Sequence, residues 1–269
     1  MIDSVENALD ERLDPFRWRD RQLASKLDRL ETVGAGLFVA EGDLVVQRAI
    51  DAGCVPVALL CDDMMAQHFA QTVPSNVNIF VGNEELRREV TGLGVPLRAT
   101  GLFQRPPLTD CDELISRSRR ILVAEAVDNP TNLGAIIRSA AGLGWDALIL
   151  SAGSADPLAR RALRVSMGTG LTLPFARVSP NDSLPELLQR HKVVSYGLTP
   201  DNTAVSVRDV VVPDERIVAL LLGSEREGLD EVTMVQATEL LRIPMHAGVD
   251  SLNVGAAAAI AMYALGPRN

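Results

Sequence analysis

The sequence predicts an α/β protein whose carboxyl-terminal half contains a largely parallel sheet. Apolar runs at residues 217–222 and 240–243 are typical of strands that are buried on both faces. Helix-length segments alternate with such runs along the chain, which favours parallel strands joined by helices. The last segment, Val254–Leu265, is rich in alanine and has no charge or proline, so we expect a buried helix there.

Length and a proline-containing segment predict two domains. A chain of 269 residues fits about two domains. Residues 100–112 include Pro106 and Pro107 and show no hydrophobic periodicity, so we expect the interdomain linker there. The predicted domains are residues 1–105 and 113–269.

The amino-terminal half has the alternation of a small α/β domain. Residues 17–31 have the charge pattern of an exposed amphipathic helix. Apolar runs bounded by turn residues then indicate strands separated by helices. The expected strands are 37–42, 55–60 and 77–81, and the expected helices are 44–52, 64–72 and 84–90.

The carboxyl-terminal half repeats a strand–helix pattern that predicts a parallel sheet covered on both faces. A turn at 128–132 precedes a helix that runs through Leu143, and Asp156-Pro157 has the form of a helix start. The other expected strands are 121–126, Ala147–Leu150, 173–176 and 193–198, and the other helices are 158–165 and 183–191. Loops that follow the last two strands should form the ligand crevice, since ligands bind at the carboxyl ends of such strands.

Composition indicates a cytoplasmic protein. The acidic first residues lack an apolar core, so we expect no signal peptide, and no run approaches the roughly 18 apolar residues of a membrane span. The chain has three cysteines and three histidines without the spacing of a metal site, so we expect neither a disulfide framework nor a bound metal.

The net charge argues against general affinity for nucleic acids but allows a local basic patch. The net charge is −9, and phosphate contacts require cations. Arginines nevertheless cluster at three places, each of which could also be a solvated helix face. These are Arg17, Arg19 and Arg21; Arg117, Arg119 and Arg120; and Arg160, Arg161 and Arg164.

Several common catalytic signatures are missing. The chain has no GxGxxG, no GxxxxGK[ST] and no GxSxG. The sequence therefore does not support dinucleotide binding, P-loop phosphoryl transfer or serine hydrolysis.

Three other motifs occur in the carboxyl-terminal half. The first is NPTNLGAIIR at 129–138, the second is GSEREGL at 223–229, and the third combines IPM at 243–245 with SLNV at 251–254. In this order and spacing they resemble the motifs of the SpoU/TrmH family of RNA ribose methyltransferases, within the SPOUT superfamily. The resemblance is specific from about residue 121 to 265. More loosely, residues 37–42 with the following helix resemble the L30e-like RNA-binding domain that precedes the catalytic domain in many family members. The alternative for the first domain is a generic α/β module without an RNA role.

The resemblance implies a fold and a cofactor. The second domain would be a SPOUT domain whose chain forms a deep trefoil knot. S-adenosylmethionine would be held largely by backbone groups and apolar neighbours in the loops that follow the last strands. The implied contacts are Leu222, Gly223, Ser224, Ile243, Met245, Ser251 and Leu252.

The resemblance also implies the catalytic residues. Arg138 matches the family's catalytic arginine, with Asn132, Glu225, Ser251 and Asn253 around it. A guanidinium is a poor base, so Arg138 would bind the phosphate beside the target ribose or stabilise the developing alkoxide. The sequence departs from the family pattern at Gly255, where serine is usual, and at Ala247, where many members have glycine.

We therefore expect a homodimeric, metal-independent enzyme that transfers a methyl group from S-adenosylmethionine to a ribose 2′-hydroxyl of structured rRNA or tRNA. Two alternatives remain open. One is a non-catalytic RNA-binding protein with a SPOUT fold, and the other is a SPOUT enzyme that methylates a base nitrogen.

Overall fold

The structure is a computed structural model that describes residues 1–26, 29, 36–179, 181–213, 215–246 and 248–267. The described strands are β1 (Ile2–Ser4), β2 (Leu37–Glu41), β3 (Pro56–Cys61), β4 (Asn78–Val81), β5 (Ala99–Gln104), β6 (Arg120–Ala124), β7 (Ala147–Leu150), β8 (Phe175–Arg177), β9 (Val194–Leu198), β10 (Val205–Ser206), β11 (Val218–Leu222) and β12 (Glu239–Arg242). The described α-helices are α1 (Asp14–Arg17), α2 (Asp20–Leu23), α3 (Asp43–Asp51), α4 (Asp63–Phe69), α5 (Glu84–Thr91), α6 (Cys111–Ser116), α7 (Pro130–Gly142), α8 (Arg160–Val165), α9 (Leu184–Arg190), α10 (Glu231–Gln236) and α11 (Val254–Leu265). Single turns of 3₁₀ helix lie at Glu11–Leu13 and Thr169–Leu171.

The chain divides into two compact units. The first contains Met1–Pro107 together with Leu158–Thr172, and the second contains Leu108–Pro157 and Leu173–Asn269. The segment Leu158–Thr172 falls inside the predicted second domain, yet it packs with the first unit. The chain therefore passes between the units three times along its length.

The first unit is built on a five-stranded mixed sheet with the order β1-β4-β3-β5-β2. Strand β5 is antiparallel to both of its neighbours, and β1, β4 and β3 are parallel. The core under the sheet includes Phe16, Val39, Leu60, Phe80 and Leu102. The alternation seen in the sequence therefore forms an α/β unit, as predicted.

Two sequence predictions in this unit are wrong. The expected helix at 17–31 is interrupted, because the backbone is extended at Trp18 and again at Ala24. Its residues 27, 28, 30 and 31 lie outside the described residues. The expected linker at 100–112 begins instead as β5, whose first five residues are buried between β3 and β2. Gly101 in this strand has Leu59 close by, and an added Cβ would lie 3.0 Å from the Leu59 Cδ2 atom.

A buried ionic contact attaches the segment Leu158–Thr172 to β2 within the first unit. The Glu41 side chain is only 1% exposed, and Arg160 and Arg164 of α8 each approach one of its carboxylate oxygens at 2.5 Å. Ala162 and Leu163 of α8 are fully buried. A buried carboxylate is costly unless it is paired, so these two arginines have a structural role.

The second unit contains a seven-stranded sheet in the order β10-β12-β9-β11-β6-β7-β8. All of its pairings are parallel, as the apolar runs predicted. In the centre, Val218 of β11 is opposite Arg120 of β6 and Val194 of β9. The predicted α/β class with a parallel sheet is therefore confirmed.

Both faces of the second sheet are covered by helices. Side chains alternate along the strands, so Leu122, Leu148 and Leu220 face one core, which α7 and α11 complete. Their neighbours, including Ile121 and Leu221, face the other core with residues of α6 and α9. Each core consists only of second-unit residues, so this unit has a hydrophobic interior of its own.

Helix α11 has the predicted bounds, but only one of its faces is covered. Gly255, Ala258, Ala261, Met262 and Leu265 are buried, and the helix packs on α7 and β11. The opposite face presents Ile260, which is 43% exposed, and Tyr263, which is 80% exposed. This helix, which is apolar all round, therefore has one face packed in the core and one apolar face exposed to solvent.

No helix in the described part of the chain is long and apolar enough to cross a membrane.

Candidate active site

A cavity of about 720 Å³ lies within the second unit, at the carboxyl ends of β9, β11 and β12 and beside the start of α11. Its position follows from the parallel sheet, because the loops after neighbouring strands meet at one edge. Every residue that the sequence predicted to contact the cofactor lines this cavity, namely Leu222, Gly223, Ser224, Ile243, Met245, Ser251 and Leu252. Their assignment to a cofactor stays a prediction.

The loop after β11 folds back on itself. Ser224 and Gly228 exchange backbone hydrogen bonds of 3.0 and 3.1 Å, and the Ser224 hydroxyl accepts one from the Glu227 amide at 3.1 Å. Gly228 has a φ of +74°, which favours glycine. This closed turn presents Glu225 and Arg226 at its tip, where both are exposed.

Gly223 permits this turn because it has no side chain. A Cβ at this position would overlap the carbonyl carbon of Gly228 and the amide nitrogen of Leu229. The turn therefore closes directly against the backbone of Gly223, and glycine is required here by contact and not by its φ angle.

Sequence reasoning missed part of the cavity wall. Leu198, Thr199 and Pro200 line it from the end of β9, and Met234 and Ala257 also contribute. Residue 198 ends a predicted strand, so the rule that ligands bind at the carboxyl ends of parallel strands could have found the residues after β9. Nothing in the local sequence marks Met234 or Ala257.

Three polar residues form one hydrogen-bonded chain beside the cavity. The Asn253 side-chain amide donates to Asn132 Oδ1 at 3.0 Å, and the Asn132 amide donates in turn to Glu225 Oε1. Asn253 also caps α11, because its Oδ1 accepts from the Gly255 amide at 2.9 Å. The structure therefore brings together three predicted catalytic residues from three separate motifs. The fourth, Ser251, lines the same cavity.

Helix α7 places Asn132 for this contact. Asn129 caps the helix by accepting a hydrogen bond from the Thr131 amide at 2.9 Å, and Pro130 occupies the first turn. Gly255 lets α11 approach α7 closely, since a Cβ there would lie 3.3 Å from the Ala135 Cβ. Residue 255, where serine is usual in the family, is therefore tightly packed against α7. The other departure, at Ala247, lies outside the described residues.

Arg138 is not brought together with these residues. It is exposed on α7, does not line the cavity, and has no hydrogen bond or ion pair with any residue that the structure describes. It lies six residues beyond Asn132, which corresponds to about 9 Å along a helix axis. Its predicted catalytic role is not tested by this arrangement.

Most of the clustered arginines are bound within the protein. Arg160 and Arg164 bind Glu41, Arg117 pairs with Glu113, and Arg120 is buried. Arg160 and Arg164 therefore have a structural role, whereas the ion pair of Arg117 with Glu113 is exposed.

Comparison with known proteins decides the family. The model of the SpoU rRNA Methylase family matches residues 119–263. The chain belongs to this family. An uncharacterised tRNA/rRNA methyltransferase of Mycobacterium bovis is 35% identical over 257 residues, which cover 94% of this chain and 88% of the relative.

A further relative and a solved structure match nearly the whole chain. The 23S rRNA (guanosine(2553)-2′-O)-methyltransferase RlmP of Bacillus subtilis is 27% identical over 262 residues, covering 97% of this chain and 98% of the relative. The crystal structure of an AdoMet-bound rRNA methyltransferase from Sinorhizobium meliloti is 25% identical, covers 98% of this chain and 97% of its own, and superposes with a TM-score of 0.82. The family expected from the three motifs is confirmed.

Proposed function

We propose that this SpoU family member is an S-adenosylmethionine-dependent enzyme that methylates a ribose 2′-hydroxyl in rRNA or tRNA. The observation that carries the proposal is the hydrogen-bonded chain from Asn253 through Asn132 to Glu225 beside a cavity of about 720 Å³. The names of two relatives support it, one as a 23S rRNA 2′-O-methyltransferase and the other as an AdoMet-bound rRNA methyltransferase.

The cavity suits S-adenosylmethionine. Leu222, Ile243 and Leu252 offer apolar surface for an adenine ring, and Gly223 lets the ligand approach the backbone. Glu225, Glu227 and Asp250 line the cavity with Arg226, a balance of charge that favours a ligand with cationic groups. We assign cofactor binding to the seven residues predicted from the sequence.

S-adenosylmethionine, when bound, supplies a methyl group activated on a sulfonium sulfur. For the ribose oxygen to accept that methyl group, its hydroxyl proton would have to leave. Glu225 is the acceptor that we assign to this proton. Asn132 and Asn253 hold the Glu225 carboxylate in place, and Ser251 assists from the cavity wall.

Arg138 binds the substrate in this proposal. A guanidinium is permanently charged and cannot serve as a base, but it can hold a phosphate through two parallel hydrogen bonds. Its exposure and its lack of a partner among the described residues leave it available for the phosphate next to the target ribose or for the developing alkoxide.

The enzyme is a homodimer in this proposal. The open face of α11 presents Ile260 and Tyr263, and the exposed Leu252 of the cavity lies just before the start of this helix. Pairing two such faces about a two-fold axis would bury both and place the two cavities near the interface.

We also propose that the first unit is an L30e-like domain that recognises structured RNA, and that the second unit has the trefoil knot of SPOUT domains. The predicted boundaries, residues 1–105 and 113–269, belong to this proposal. We place the enzyme in the cytoplasm and propose that it uses no metal ion. Among the described residues, no group of three or more histidine, cysteine or acidic side chains is arranged to bind one.

Two measurements test the function. Calorimetry with S-adenosylhomocysteine should show one site per chain, and no binding at millimolar ligand contradicts the proposal. Ribose methylation should then be mapped in total RNA from cells with and without the gene. A lost methyl group on a base indicates the base-nitrogen alternative, and cofactor binding without any lost methylation indicates the non-catalytic one.

A further inference from the structure

Glu125, directly after β6, has no role in the function proposed above, although its side chain reaches the segment that follows the active-site turn. One carboxylate oxygen accepts a hydrogen bond from the Thr233 hydroxyl at 2.9 Å, and the other accepts from the Asp230 amide at 3.3 Å. Asp230 caps α10 and Thr233 belongs to its first turn, so both donors lie just beyond the turn that presents Glu225. The Glu125 carboxylate therefore links the start of α10 to the end of β6.

The same residue also binds the strand that precedes the turn. The Glu125 backbone amide donates to the Leu222 carbonyl oxygen at 2.8 Å. Residues 223–229 therefore begin and end beside residues that are bonded to Glu125. Fixing both ends of a short turn reduces the number of conformations that its backbone can adopt. The position of Glu225 within the turn thus depends on the contacts of Glu125.

The side-chain contacts of Glu125 are made in a half-buried position. Thr233 is 4% exposed, and burial raises the pKa of Glu125, whereas the hydrogen bonds from Thr233 and Asp230 oppose that rise. Glu125 has no ion pair with any residue that the structure describes. A carboxylate that is shielded from water and has no cation beside it depends on its hydrogen bonds. The two donors on α10 are therefore the contacts that hold this side chain.

The chain beyond Glu125 connects it to Asn132 through a constrained segment. Ala126 has a φ of +53°, in the left-handed region that is unfavourable for residues other than glycine. Its amide donates to the Ser151 hydroxyl at 3.0 Å, and α7, which carries Asn132, begins shortly afterwards at Pro130. Such a backbone conformation persists only where surrounding contacts determine it. The loop after β7 therefore helps to fix the path from Glu125 to Asn132.

We propose that Glu125 is a positioning residue for methyl transfer. It joins the segment that leads to Asn132 to the segment that follows Glu225, and so keeps these two side chains within hydrogen-bonding reach of each other. Glu125 does not line the cofactor cavity, so it acts through Glu225 and not by contact with the cofactor. The inference rests on the proposed function, because Glu225 is the proton acceptor assigned there.

The side-chain amide of Asn132 reports on this positioning in the full-length protein without any RNA. In protein with isotope-labelled asparagine, its NMR signal is identified by its loss in Asn132→Asp, and Glu225→Ala shows where the signal lies without the hydrogen bond. Glu125→Ala and Thr233→Val should each move the signal toward that of Glu225→Ala. Thr233→Ser keeps the hydroxyl and should leave the signal unchanged. If Glu125→Ala does not fold, Thr233→Val provides the test, because it keeps the side-chain shape.

Methyl transfer in the first turnover measures the effect on the reaction. Total RNA from cells without the gene is the substrate, and rates are expressed per site that binds S-adenosylhomocysteine, so that loss of folded protein is not counted. At saturating RNA, Glu125→Ala and Thr233→Val should lower this rate about tenfold, as expected for a lost hydrogen bond to a charged group, and should leave RNA affinity unchanged. Glu231→Gln is the matched control, because Glu231 is exposed at the start of α10 and does not line the cofactor cavity.

The outcomes separate this inference from the proposed function. An Asn132 signal that is unchanged in both Glu125→Ala and Thr233→Val, or a wild-type rate per site in both, overturns the positioning role and leaves the proposed function standing. If Thr233→Ser behaves like Thr233→Val, the hydroxyl is not the group that matters, and the inference also fails. If the wild type methylates no RNA, the proposed function fails, and the Asn132 signal alone decides whether Glu125 holds the turn.

Discussion

Asn253 has two separable contacts, one to the helix that it begins and one to the active-site chain. Its oxygen caps α11 through the Gly255 amide, and its nitrogen donates to Asn132. Aspartate keeps the capping oxygen but has no donor. The free energy of unfolding of an Asn253→Asp variant should therefore lie within about 0.5 kcal/mol of the wild-type value. The variant should nevertheless lose most methyl transfer, because Asn132 and Glu225 are no longer held in place.

Denaturant unfolding and single-turnover methylation measure these two effects. Asn253→Ala is the matched comparison, since it removes both contacts and should cost about 1 kcal/mol of stability as well. Wild-type turnover in the aspartate variant would remove the polar chain from the mechanism.

Arg138 provides a second test at the scale of one residue. Arg138→Ala should nearly abolish methylation and leave S-adenosylhomocysteine binding intact, because the side chain does not line the cofactor cavity. Arg208→Ala is the control, as another exposed arginine of the second unit that does not line the cavity. Calorimetry and a methylation assay on both variants decide the matter, and normal turnover without Arg138 would contradict the assigned role.

Most of the site residues can be predicted from the sequence, because the three short motifs that contain them resemble those of one family. The motifs predict Gly223 as a cofactor contact, but its contact with the backbone of Gly228 and Leu229 depends on how the turn closes. The hydrogen bonds from Asn253 to Asn132 and on to Glu225 join residues up to 121 positions apart, and no local pattern reveals them.

The turn after β11 is the element whose shape can be tested most directly. In a Gly223→Ala variant the new Cβ must push the backbone of Gly228 and Leu229 away, so we expect a loss of about 1–3 kcal/mol in stability and weaker cofactor binding. Gly228→Ala is the control for backbone strain alone, because a Cβ there meets nothing within 4 Å while the φ of +74° costs about 1–2 kcal/mol. If Gly223→Ala binds S-adenosylhomocysteine as tightly as Gly228→Ala does, close packing at residue 223 is unimportant for the site.

Helix α11 leads to a prediction about assembly. Its open apolar face should be covered by a second copy of the chain, so light scattering at micromolar concentration should give about twice the chain mass of 28.9 kDa. Tyr263→Glu should shift the protein toward the monomer, whereas Glu231→Gln, away from this face, should not. A monomer in the wild-type protein contradicts the proposal.

Elements were predicted well where the pattern is local. Strand β11 and helix α11 are continuous apolar segments, and their bounds follow almost directly from the sequence. The sequence predicts a linker over most of β5 because Pro106 and Pro107 follow it closely, although its partners in the sheet bury it. The helix expected at 17–31 is interrupted at Trp18, where contacts of nearby backbone oxygens with Arg160 outweigh local preference.

At the scale of the whole molecule, the division of labour can be tested by truncation. A chain that begins at Leu108 keeps both cores of the second unit, so it should fold and bind S-adenosylhomocysteine normally. It should lose RNA affinity, and the remaining binding should depend less on salt because phosphate contacts are lost. RNA affinity of the full-length and truncated proteins at two salt concentrations decides this. Equal affinity and equal salt dependence would show that the first unit does not recognise RNA.

Truncation at the linker alone would leave one segment of the second half without its packing partners. Residues Leu158–Thr172 would lose β2 and Glu41, exposing Ala162 and Leu163 and making this segment sensitive to proteases. A matched chain in which a glycine–serine linker replaces residues 158–172 should resist proteolysis there and bind the cofactor equally. Sequence patterns could not reveal this arrangement, because the contact between Arg160 and Glu41 joins residues 119 positions apart.

The same arrangement has a consequence for synthesis on the ribosome. A nascent chain that ends at Pro107 contains every strand of the five-stranded sheet but not α8, so β2 lacks its covering helix and Glu41 lacks both guanidinium partners. At about 5–20 residues per second, translation from there to Thr172 takes roughly 3–13 s. The first unit therefore completes its folding only after β6 and β7 of the second unit have been synthesised. Folding of the two units thus overlaps in time during translation.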